Sequence, residues 1–116
     1  MNWYLAKIIF SVKTGNGNHT PQFDTQLRLI KGCNENEALQ KARNIGNEEE
    51  EIFLSESGEM VRWIFVDVAE LTTLPSFVDG MELYSQIEEK EEAGSFIHFI
   101  RDKAANLEKQ SDVTFA

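Results

Sequence analysis

Cys33, His19, His98 and Asp102 are the residues whose types could support catalysis or metal binding. Cys33 follows Gly32 at the end of an apolar stretch and directly precedes a helix start at Asn34. The partial positive charge of a helix N-terminus there favours a thiolate. A nucleophilic thiol also needs a base, which would have to be His19 or His98, and no nucleophile-elbow or cysteine-protease sequence surrounds it. His98 and Asp102 stand four apart, a spacing that serves two metal ligands or one ion pair; without a third ligand the ion pair is expected. The Glu48–Glu51 and Glu88–Glu92 runs lack the alternating ligands and glycine turn of a calcium loop, so they read as solvated charge. Gly15-Asn16-Gly17-Asn18 lacks the lysine and the following helix of a phosphate cradle and reads as a hairpin connection. No catalytic residue, metal site or cofactor is expected, and the chain is expected not to be an enzyme. The competing reading is a small-molecule-binding or hydrolytic enzyme using Cys33 with a histidine.

The elements that would position these groups follow from periodicity. Tyr4, Ala6, Ile8, Phe10 and Val12 alternate with Trp3, Leu5, Lys7, Ile9 and Ser11, which predicts a strand whose first face meets the core. After the glycine- and asparagine-rich loop, Phe23, Leu27 and Leu29 continue the alternation over residues 23–31, completing a long hairpin. Asn34 with Glu37 has capping-box spacing, and Ala38, Leu39, Ala42 and Ile45 form a narrow apolar stripe that Gly46 should close. A short strand is expected at 52–54, a turn at 55–59 and a strong strand from Met60 to Leu71. Residues 81–87 are read as a fifth strand and 95–110 as a second helix, with 111–116 a frayed tail. The expected fold is α+β: one mostly antiparallel sheet of four or five strands, in the order β-β-α-β-β-β-α, with two helices. Residues 1–110 are expected to form a single domain.

Composition narrows the function. The 116 residues hold 11 basic and 20 acidic side chains, a formal charge of −9. That balance speaks against a nucleic-acid partner and against docking on anionic lipid. It is uneven: residues 1–34 carry four basic and one acidic residue, and the remainder is acidic. One cysteine excludes an intrachain disulfide and fits a reducing compartment. The apolar N-terminus has Lys7 in its middle and no basic leader or cleavage site, so no signal peptide is read, and no run is long enough for a membrane span. A soluble, cytoplasmic, bacterial protein is expected.

Three stretches carry a resemblance: Trp3-Tyr4-x-Ala6-Lys7, Glu37-Ala38-Leu39-x-x-Ala42 and Gly58-Glu59-x-Val61-x-Trp63-x-Phe65-Val66. Together they make residues 3–71 resemble domain of unknown function 4288, an uncharacterised, largely bacterial family. The resemblance implies a small α+β domain and brings no activity with it; the C-terminal third lies outside the shared pattern.

A surface remains to be assigned. If Ile64, Val66 and Val68 pack with Tyr4, Ile8 and Phe10 under the first helix, then Trp3, Leu5, Ile9, Trp63 and Phe65 point away from it, beside Lys7 and Asp67. Such an aromatic face needs a cover. The expected covers are the C-terminal helix, through Phe96, Ile97 and Ile100, or a second subunit, and both hold if that helix is exchanged between two copies. Glu59 and Arg62 lie beside the strand as a recognition edge or a surface ion pair. The expected binding residues are therefore Trp3, Lys7, Glu59, Arg62, Trp63 and Phe65. The expected function is a non-enzymatic protein-interaction module, homodimeric or bound to another protein, with an acidic inhibitor or immunity-type protein as its specific form.

Overall fold

The computed structural model describes residues 1–114. Contacts divide the chain into two compact units, Met1–Leu83 and the residues from Tyr84 onward, where the sequence predicts one domain to residue 110.

The first unit is a four-stranded sheet with one helix. Strands β1 (Asn2–Thr14), β2 (Gln22–Gly32), β3 (Glu51–Leu54) and β4 (Met60–Leu74) lie in the order β2-β1-β4-β3, and every neighbouring pair is antiparallel. This is the α+β architecture expected from the sequence, with the strand count at four. The β1–β2 turn uses Gly15 and Gly17 at positive φ (62° and 79°), backbone that other residues adopt at a cost.

Helix α1 (Glu35–Glu48) lies across the sheet. The Asn34 side chain accepts from the Glu37 N–H at 2.9 Å, satisfying one of the open donors of the first turn. Its Ala38 and Ala42 are fully buried with Tyr4, Ala6, Ile8, Phe10 and Ile30, so the alanines bring the helix backbone close to the strands. Gly46 does not end the helix. It lies inside α1, buried, and Glu49 serves as the C-cap.

Residues 81–87 form no strand. Pro75 carries no N–H to extend the ladder after Leu74, and residues 77–83 line a groove over the sheet without pairing to a strand. Of the apolar alternation, Met81 and Leu83 line that groove and Ile87 is exposed, an arrangement that a period-two pattern does not distinguish from strand pairing.

The second unit is built on α2 (Ala93–Thr114), which continues through the residues expected to fray as far as Thr114; residues 115–116 lie outside the described part. Every side chain from Ala93 to Gln110 is exposed. The His98 and Asp102 side chains meet at 3.3 Å, the i,i+4 pair expected.

Candidate functional site

Strand register decides which side chains share a face. In β1, Tyr4 through Val12 in steps of two face α1, while Trp3, Leu5, Lys7 and Ile9 face the other way. Phe65 lies opposite Phe10 and Trp63 opposite Val12, so Trp63 and Phe65 belong to the α1 face, not the outer one. This overturns the expected division of β4. The physical reason is two irregularities in the β1–β4 ladder, which leave Val66 and Ala69 without a directly opposed residue. Each adds one residue to β4, so its inward positions run Val61, Trp63, Phe65, Val68, Leu71 rather than in strict alternation. Ile64 and Val66, expected inside, are exposed.

Trp63 and Phe65 are accordingly positioned as parts of the core margin. The Trp63 indole N–H donates to the Asp24 carboxylate at 3.3 Å, bridging β4 to β2 over β1. Phe65 tilts on Phe10, ring centroids 6.0 Å apart, and its backbone N–H donates to the Glu50 carboxylate at 2.9 Å. Beyond the end of α1, Trp63 and Phe53 with Gln26, Glu49 and Glu51 line a small cleft of about 220 Å³.

The outer face holds the other expected residues. Trp3 is half-buried between Phe77, at 5.6 Å between centroids, and the Lys31 ammonium, 5.3 Å from its ring centre. Lys7 pairs with Glu70 at 3.5 Å across the β1–β4 ladder. Arg62 is exposed and lies opposite Lys13, so two cations face each other there. Glu59 lies beside Gly15, on a polar hollow that also includes Thr14, Asn16, Asn18, His19 and Gln22. No ion pair joins Glu59 to Arg62 among the described residues, since the turn directs Glu59 toward the β1–β2 loop. Asp67, expected beside Lys7, reaches Arg43 of α1 at 3.0 Å. The N–H of Val68 and the Arg43 guanidinium hold its carboxyl below the usual carboxylate value.

Between these groups the outer face is apolar and open. Phe23, Leu27 and Leu29 of β2 and Ile64 and Val66 of β4 are all exposed there, around Leu5 and Ile9. One end is covered by the chain itself: Leu74 is buried opposite Trp3, and residues 77–83 arch over Leu5, Leu27 and Leu29, enclosing a groove of about 710 Å³. Sequence periodicity identifies the β1 members of this face. For Phe23, Leu27 and Leu29 it gives the alternation alone, which does not say which of two faces is covered.

The reactive groups do not converge within the first unit. Cys33 is exposed just beyond the β2 end that pairs with Asn2, whereas His19 lies in the loop after Thr14. The length of β1 separates them by roughly 40 Å. His19 acts locally instead. Its Nε2 accepts from the Thr14 N–H at 3.0 Å and its Nδ1 meets the Thr20 carbonyl at 2.8 Å. Nδ1 therefore carries the proton. No cluster of three metal-ligating side chains occurs among the described residues, and no helix there is long and apolar enough to cross a membrane.

Fold and face together define the class: a small α+β domain with one antiparallel sheet, covered by a helix on one side and apolar on the other. Residues 3–85 match the family described as Domain of unknown function (DUF4288), and the chain belongs to that family. The match runs past residue 71 to include the segment that arches over the outer face, and it stops short of α2. No curated protein and no solved structure matches the chain.

Proposed function

We propose that this chain is a non-enzymatic protein-interaction module of the cytoplasm that works as a homodimer. The observation that carries the reading is the open outer face, where Phe23, Leu27, Leu29, Ile64 and Val66 stand exposed on strands of one sheet. Contiguous apolar area of this kind is costly to leave in water and marks surfaces that meet another macromolecule. The Trp3 ring, held by Phe77 and Lys31, is a fixed aromatic anchor at its edge. Where the partner is another protein, a basic one suits the net charge of −9 and the cleft that sets Glu49 and Glu51 beside Trp63 and Phe53. That chemistry is the form an acidic inhibitor would use.

The test is photocrosslinking in the native cell with p-benzoylphenylalanine at position 29 on the outer face and, as a control, at exposed position 40 on α1. Protein adducts, including the self-adduct of a dimer, are expected from position 29 and not from position 40. No excess of adducts at position 29 would overturn the reading.

A further inference from the structure

Resting on the homodimer reading, the geometry points to its joint: we propose that two copies pair through strand β2, antiparallel about a two-fold axis at Gln26, to form one continuous eight-stranded sheet.

The argument begins with the edge. β2 is bonded on one side only, to β1, and their register runs unbroken from Gln22 to Gly32 with no bulge. No proline interrupts it, and no segment pairs with its free side among the described residues. A long regular edge with open N–H and C=O groups is a template for another strand unless it is deliberately blunted. The other edge, β3, spans only Glu51–Leu54 and offers much less.

The side chains then select the partner and the register. Residues opposed across a two-fold axis normal to a sheet lie on the same face, so the axis must fall at a residue of β2. An axis at Asp24 or at Arg28 sets like charge against like. An axis at Gln26 sets Asp24 opposite the second copy's Arg28, and Arg28 opposite its Asp24, with the two Gln26 amides meeting at the centre. On the outer face the same axis sets Phe23 against Leu29 and Thr25 against Leu27. These apolar side chains are exposed in the single chain, and pairing brings them together.

The ends agree. Pairing centred on Gln26 runs from Gln22 to Ile30, and the next position sets Pro21 opposite Lys31. Pro21 has no N–H to donate, and the Lys31 carbonyl already accepts from the Lys41 ammonium of α1. The ladder therefore stops where both backbones run out of open partners. Both α1 helices fall on one side of the joined sheet, and the two outer apolar faces run on into each other.

The test uses the full chain in light scattering and one disulfide trap. Wild type is expected at twice the chain mass. Asp24→Arg and Arg28→Asp are each expected to lose the dimer, because each sets like charges in opposition. The double reversal D24R/R28D is expected to regain it, which loss of folding by either single change would not do. In a Cys33→Ser background, Gln26→Cys is expected to form a covalent dimer on mild oxidation, whereas Thr25→Cys and Gln40→Cys are not. A dimer that withstands both single reversals and forms no link at position 26 would overturn the β2 joint while leaving the homodimer reading in place. A wild type that stays monomeric, with no link at position 26, would overturn both.

Discussion

The Phe65 ring occupies the space a side chain on Gly46 would need: a Cβ built at Gly46 would stand 2.4 Å from two atoms of the ring. The helix and the strand thus approach so closely that glycine is required in mid-helix, where its backbone entropy ordinarily makes it a poor choice. Gly46→Ala is expected to lower stability by about 1–3 kcal/mol, the usual range for overpacking, despite alanine's higher helix propensity. Adding Phe65→Leu should return part of that loss. Urea unfolding of the two variants checks both steps, and an unchanged midpoint for G46A would show that the helix can shift away.

Asp24 fastens Trp63 across three strands. Asp24→Ala is expected to cost about 1 kcal/mol through the unpaired indole N–H. In a Trp3→Phe background, which isolates Trp63, the same change should shift the fluorescence to the red as water reaches the ring. A fluorescence maximum that stays in place would show that packing alone fixes the indole.

His19 accepts the Thr14 N–H and so closes the β1–β2 loop. His19→Ala leaves that amide without its acceptor, and a loss of about 1 kcal/mol, confined to the loop, is expected. Hydrogen exchange by NMR should show the Thr14 amide exchanging faster while the Ile8 and Phe10 amides keep their protection.

Asp67 links pH to stability with a defined sign. Its folded carboxyl lies below the ordinary value of 3.8, because it accepts from the Val68 N–H and the Arg43 guanidinium. A depressed folded value contributes stability above the unfolded value and loses it as pH falls through the folded one. Asp67→Asn should therefore flatten the stability profile below about pH 4 and change little at neutral pH beyond a constant offset. Thermal melts across the acid range check this, and a parallel shift at every pH would assign the role to geometry rather than charge.

The outer face should tolerate polarity. Leu29→Lys removes a group that is exposed in the single chain, and at dilutions where the chain is monomeric its effect on stability should stay within about 0.5 kcal/mol. Binding of an apolar dye should fall at the same time, and dye binding equal to wild type would move the exposed patch elsewhere.

Periodicity made much of this molecule legible. The alternation of Tyr4 to Val12 identified the buried face of β1, and Asn34 with Glu37 marked the start of α1, because both are local signals carried by adjacent residues. Alternation also failed in instructive places. The two unopposed residues of β4, Val66 and Ala69, flank Val68 and put it on the helix face with Trp63, Phe65 and Leu71 instead of with Ile64 and Val66, and nothing in a run apolar on both faces announces them. Met81 and Leu83 look like strand residues, but the chain breaks from the ladder at Pro75 and they line the groove over Leu5, Leu27 and Leu29 without pairing to a strand.

Residue order by itself determined the strand and helix segments of the first unit and the net charge of −9, since each depends on near neighbours or on simple sums. Only the tertiary structure decided which face of the sheet is covered, that Gly46 is a packing residue rather than a helix stop, and that β2 is left as an open edge. Those depend on register and on the distance between backbones, which arise when residues far apart in the chain, such as Gly46 and Phe65 or Asp24 and Trp63, must share the same space.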